Sequence, residues 1–389
     1  VKSADKATAG AFPPDEVGLR DVLRDRRMCI CVGTGGVGKT TSAAAIAIGL
    51  AADGRRVALV TIDPSRRLAG ALGLSELSNE PQLLSSEHLA PVGIALRGEV
   101  WAMVLDPKRT FDELITRLAP DERARERVFA NHIYRELSGA VGGSHEFTAI
   151  AKLYELDRDG GYDAIVLDTP PARNALEFVR APQRLMQFFD VPALRLLLAP
   201  AGFGARVASH AAAPALALLR RLVGVDLLTE IALFFGAVGG SISGFRERAR
   251  AVEALLHDPA TVCVLVSSPR GEAVRESLSF ARALRDADLP LGALIVNRVH
   301  EEPARAADLD AVEAALVPAL GARLSRQVSA SLADSQRRAQ RDQIGIGRLR
   351  AELGDLPLTV VAQIDGPVGD LEMLGAVARR LFGEPVQAP

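Results

Sequence analysis

Short apolar runs punctuate the chain at 28–32, 57–62, 100–105, 163–168, 261–267, 292–297 and 357–362. Most are continuous rather than alternating, which marks parallel strands covered on both faces. Segments with helical spacing separate them, as right-handed β-α-β crossovers require. The pattern predicts an α/β fold with a central, mostly parallel sheet flanked by helices. Residues 1–17 read as a flexible tail and 18–389 as one domain. Two helical insertions interrupt the rhythm, at about 107–160 and 172–258, and are expected to pack on one edge of the sheet. No internal repeat is evident. The stretch 368–382 carries Leu371, Leu374, Val377, Leu381 and Phe382 at helical spacing. Its polar face has Asp370 and Glu372 and no basic cluster, so core packing is expected there rather than membrane binding.

Between the first apolar run and the helix after it lies Gly33-Thr34-Gly35-Gly36-Val37-Gly38-Lys39-Thr40-Thr41. This fits the phosphate-loop pattern G-x-x-x-x-G-K-[ST], in the strand-loop-helix context that the motif requires. Its glycines let backbone N–H groups turn toward phosphate oxygens, and the helix N-terminus adds partial positive charge. The pattern predicts Gly35, Gly36, Val37, Gly38, Lys39, Thr40 and Thr41 around the phosphates, with Lys39 on the β- and γ-phosphates. The Thr40 hydroxyl is expected on Mg²⁺. Lysine occurs elsewhere only at Lys2, Lys6, Lys108 and Lys152. A lysine at 39 in so arginine-biased a chain indicates a demand for a compact point charge.

Further polar residues end apolar runs, at the edge where open α/β sheets bind ligands. Asp63 follows the second run and can position the attacking water; it also fits a turn before Pro64. Asp168 ends the run at 163–168 and fits the acidic element that holds Mg²⁺, directly or through water. Asn297 ends the run at 292–297; on local evidence an adenine contact and a turn asparagine fit equally.

Composition narrows the setting. The chain has 389 residues, 48% hydrophobic, with a net charge of −2. That balance gives no electrostatic case for nucleic acid. Three cysteines and no C-x-x-C argue against a disulfide-built exterior and a zinc clasp. No signal peptide or membrane span is apparent, so a cytoplasmic location is expected, with peripheral membrane association as an option.

The set GTGGVGKTT at 33–41, DPSRRL at 63–68, MVLDPKRTFDELI at 103–115, IVLDTPP at 165–171 and IVNR at 295–298 resembles the arsenical pump ATPase family. That family includes the ATPases that target tail-anchored membrane proteins, and it belongs with the dimeric Min/Par group. The resemblance covers roughly residues 25–385. It implies ATP/ADP and Mg²⁺ as ligands, Lys39, Thr40 and Thr41 on phosphates and metal, Asp63 on the water, Asp168 on the metal and Asn297 on adenine. It also implies a homologous subunit as partner and an unidentified client or membrane partner. Four departures matter. Thr34 replaces a loop lysine that in the family reaches the partner's nucleotide. Arg173 and Asn174 replace the second switch's usual Gly and His. The arsenite-binding cysteine triad is not recognisable. The Met-rich groove and the C-x-x-C clasp of the targeting members are absent from the sequence, and only Met186 falls in the second insertion. The expectation is a Mg-dependent ATPase, paired with a lysine-bearing paralogue in a heterodimer. Alternatives are a hydrolysis-poor regulatory subunit and a Min/Par-like positioning ATPase.

Overall fold

The computed structural model describes residues 18–62, 67–90, 93–118, 121–131, 144–159, 161–170, 180–183, 186–187, 242–302, 309–364 and 371–383. The sequence readings at 1–17, Asp63, Arg173, Asn174 and most of 172–258 lie outside them.

The sheet has eight strands: β1 Met28–Gly33, β2 Arg56–Thr61, β3 Gln82–Leu84, β4 Glu99–Val104, β5 Ala164–Asp168, β6 Thr261–Ser267, β7 Leu291–Val299 and β8 Leu358–Ala362. Their order is β3-β4-β2-β5-β1-β6-β7-β8. Every neighbouring pair is parallel except the edge pair β3–β4. The apolar runs of the sequence thus become the parallel strands. β3 was not legible as a run, because Leu83 faces solvent and only Leu84 is buried.

The principal helices among the described residues are α1 Lys39–Ala52, α2 Pro107–Leu118, α3 Ser144–Asp159, α4 Ile242–Leu256, α5 Gly271–Arg285, α6 Leu309–Leu353 and α7 Leu371–Phe382. One face of the sheet packs against α1 and α7, through Ile46, Leu50, Leu374, Val377 and Leu381. The other packs against Leu153 and Leu156 of α3, Val252 and Leu256 of α4, Leu278 and Leu284 of α5 and the end of α6. Helices α3 and α4 of the insertions therefore cover a face of the sheet, not an edge. A central parallel strand needs apolar cover on both sides, and α3 and α4 supply it. The apolar stripe of α7 is core, as its polar face suggested. Phe382 closes over Gly49, where a Cβ would lie 2.3 Å from the ring.

The α6 segment is two helices. Gly321, at φ 75 and ψ 158, breaks it. Ser329, past the break, donates its hydroxyl to the Leu309 carbonyl at 3.1 Å, so the two arms fold back on each other as a hairpin. The longer arm is seated at the carboxyl ends of β6 and β7. Gly345 packs on the backbone after β6, where a Cβ would meet the Pro269 carbonyl oxygen at 2.2 Å. His300, just after β7, bonds Asp342 through its backbone N–H and Nδ1, both at 2.8 Å. No helix among the described residues is long and apolar enough to cross a membrane.

Candidate functional site

Strand β1 lies between β5 and β6, and its carboxyl end opens into the phosphate loop. This is the switch point where open α/β sheets bind ligands. Two glycines there are dictated by geometry. At Gly33 a Cβ would stand 2.1 Å from the carbonyl oxygen of Val266 on β6. Gly38 adopts φ 96, caps α1, and leaves no room for a Cβ beside Asn297 Nδ2, 2.2 Å away. Gly35 is exposed and a Cβ there would meet nothing within 4 Å, so sterics do not explain that glycine. Val37 is buried beneath the loop.

Lys39 opens α1 and is 8% exposed. Its ammonium donates to the Thr34 carbonyl at 2.8 Å, which arches it across the loop. Thr41 follows it in the first helical turn, partly buried. Strand register brings the acidic element close: Asp168 pairs with Cys31 of β1 and with Thr61 of β2. Its carboxylate is 1% exposed. One oxygen accepts from the Thr40 hydroxyl at 2.8 Å and from the Thr61 hydroxyl at 3.0 Å. Thr169, next in the chain, donates to the Cys31 carbonyl at 2.8 Å and ties the strand end to β1. The hydroxyl-plus-carboxylate set is all hard oxygen. It fits Mg²⁺, which takes one or two protein ligands and fills its shell with water and phosphate. At Gly35 and Gly36 a Cβ would meet nothing within 4 Å, so the loop backbone is accessible there.

Asn297 sits where β7 departs from regular pairing. Register with β8 shifts between Val296 and Val299, and Arg298 is held at φ 62. That irregular turn directs the Asn297 amide at the loop, where Nδ2 donates to the Val37 carbonyl at 2.9 Å. Its Oδ1 accepts from the Arg298 N–H at 2.9 Å. Asn297 thus braces the loop and keeps one further N–H and one further lone pair. The structure brings Lys39, Thr40, Asp168 and Asn297 to one edge. Asp63 lies outside the described residues, directly after Ile62 at the end of β2.

Thr34 lies in the loop between Gly33 and Gly35. Its side chain is 2% exposed, so it is turned into the subunit rather than offered outward. The short side chain lets the loop close over it while its carbonyl holds Lys39. Sequence reasoning missed Thr61 and the bracing role of Asn297. A hydroxyl ending the run Val57–Val60 was a visible signal for the first. The second depends on a backbone irregularity that no motif encodes.

A phosphate loop at the head of a mostly parallel sheet, with a buried acidic strand end against the loop threonine, defines a phosphate-loop nucleotide-binding protein. Residues 26–201 match the family described as anion-transporting ATPases. Over these residues the chain is similar to the ArsA/GET3 family of ATPases. It is 25% identical over 379 residues to the ATPase ARSA1 of Chlamydomonas reinhardtii, a match covering 93% of this chain and 43% of that protein. It is 28% identical over 170 residues to the ATPase get3 of Neurospora crassa, covering 43% and 47% respectively. Identity to the ATPase BagA of Mycobacterium tuberculosis is 29% over 323 residues, covering 78% and 77%. The chain therefore spans less than half the length of the first two relatives.

Proposed function

We propose that the chain is a Mg-dependent ATPase whose ATP-driven change of dimer conformation acts on a partner or client. The observation that carries this is the hydrogen bond from Thr40 to the buried Asp168, beside Lys39 at the mouth of the loop. Thr40 and Asp168 would hold Mg²⁺, the latter directly or through water. When bound, the metal neutralises charge on the β- and γ-phosphates. Lys39 leaves the Thr34 carbonyl for phosphate oxygens, Thr41 adds a hydroxyl to the phosphates, and Asn297 offers its remaining donor and acceptor to adenine. Asp63 orients the attacking water, which adds to the γ-phosphorus as the bond to the ADP oxygen breaks.

The arrangement of subunits follows from Thr34. A cation supplied in trans to a transferred phosphoryl group contributes roughly 10³–10⁵ in rate. A buried neutral threonine supplies none. A pair of identical chains would then turn over slowly. A paralogue with a lysine at this position would restore one fast site and leave one site that mainly holds the pair together. In a regulatory reading, the slow pair is itself the working form.

The test is ATP binding and turnover in two variants. Lys39→Ala should abolish tight binding, because it removes the main positive charge on the phosphates. Asp63→Asn should keep binding and lose hydrolysis. An Asp63→Asn protein that turns over at the parent rate ends the assignment of the water.

A further inference from the structure

The α6 hairpin is built inside out near its tip. Between the arms it buries serines: Ser325 is 0% and Ser329 7% exposed. Their hydroxyls are taken by the backbone carbonyls of Gly321 and Leu309. Outside it shows Val317, Leu320, Leu324 and Val328, each between 38% and 47% exposed. These positions lie on both arms and flank the bend. From Ala314 to Ala322 no side chain is polar. The next charged residues are Arg323 and Arg326, and no carboxylate occurs between Glu313 and Asp334. A chain of net charge −2 therefore carries a tip that is apolar and locally cationic.

We propose that this tip inserts into the interface of an anionic lipid bilayer. Apolar side chains on both arms of a projecting bend suit a medium that surrounds them more than a one-sided protein groove. The only charges among them have the sign that an anionic headgroup layer attracts. Four half-exposed side chains and two arginines give a weak, reversible contact, comparable with a single acyl anchor at K about 10⁴ M⁻¹. The dimer of the proposed function would present two tips, and two weak contacts acting together bind far more tightly than one. The hairpin's root, at His300–Asp342 and Gly345, stands on the ends of β7 and β6 that flank the nucleotide site. The lipid contact rests on the tip alone, and only its strengthening in a dimer rests on the proposed function.

The experiment is co-sedimentation of the full chain with phosphatidylcholine vesicles, with and without phosphatidylserine. Binding is expected only with phosphatidylserine and should weaken as salt rises. Leu320→Asp and Leu324→Asp should each lower partitioning about tenfold, since a charge replaces an inserting side chain. Arg323→Gln and Arg326→Gln should each lower it about fivefold. All four should keep the parent ATP turnover. In a Trp101→Phe background, Leu324→Trp should shift its emission to the blue on adding phosphatidylserine vesicles. Equal pelleting of the parent and Leu320→Asp overturns the proposal. So does a blue shift that appears on self-association without vesicles, which would make the tip a contact between copies of the chain. If turnover is absent while tip-dependent binding persists, the nucleotide reading fails and the tip stands.

Discussion

The carboxyl edge of the sheet and the tip of the hairpin break the rule of apolar-in, polar-out in opposite senses. At the edge a carboxylate is 1% exposed, and two threonine hydroxyls bond the same oxygen of it. At the tip the serines are inside and the leucines outside. Burying a charge costs free energy unless hydrogen bonds meet it, and exposing apolar surface forgoes stabilisation. Neither arrangement helps the chain fold. The two differ in what compensates them. One oxygen of Asp168 is met within the subunit, by the Thr40 and Thr61 hydroxyls. The tip's apolar side chains have no such compensation among the described residues, and the proposed lipid contact would supply it.

The strongest way to break this contrast is through stability. Leu265 on β6 is 0% exposed at the centre of the sheet. Leu265→Ala should cost about 3–5 kcal/mol, the loss of transfer free energy plus a cavity. Leu324→Ala, on the tip, should change stability by less than about 1 kcal/mol. Chemical denaturation of both variants measures the pair. If Leu324→Ala costs as much as Leu265→Ala, the tip is part of the core, and the idea that it awaits an outside partner is lost.

A sharper contrast comes from two glycines in one helix. Gly345 and Gly347 lie in the same arm of α6, yet a Cβ at 345 would meet backbone at 2.2 Å while one at 347 would meet nothing within 4 Å. Gly345→Ala should therefore lower stability by about 1–3 kcal/mol, because the seat of the hairpin on the sheet must shift. Gly347→Ala should raise stability by up to about 1 kcal/mol through helix propensity alone. Thermal unfolding of the two variants decides it. Equal effects would mean that the arm is not seated at Pro269.

How far these features could be read from the sequence follows their physics. The parallel strands were legible because each needs a continuous apolar run. The loop was legible because phosphate geometry restricts its residues. Asp168 was legible because an acidic residue closing a buried strand is conspicuous. The Asn297 brace was not, since it depends on the left-handed Arg298 and a shift of register. The hairpin was not, although Pro318 and Gly321 mark its bend, because its helical pattern places serine where a core would place leucine. The coverage of one sheet face by α3 and α4 was missed for a different reason. Amphipathic spacing says which side of a helix is buried, not which surface buries it.

The smallest effect is expected from the cysteines, and it also separates the two faces of the sheet. Cys29 and Cys31 point into the core beneath α1 and α7, whereas Cys263 belongs to the opposite core. Three thiols on two sides of one sheet cannot converge on a soft metalloid, which binds thiolates. The ionisation of Cys31 and Cys263 is also suppressed. Hydrogen bonding with Cys29 and then burial hold the Cys31 thiol well above its ordinary range, and burial pushes Cys263 up to about 12. A raised thiol pKa means that the folded state prefers the protonated form. That stabilisation is fully present below the ordinary value near 9.0 and is lost as pH rises toward about 12. At pH 8 the native protein should therefore react with a thiol reagent only as fast as it unfolds, and all three cysteines should react once it is denatured. Arsenite should leave ATP turnover unchanged. A several-fold stimulation that disappears in Cys263→Ser would require Cys263 to leave its own core and join the other two. The sheet would then not keep the two cores apart, and the placement of α3 and α4 on the far face would fall with it.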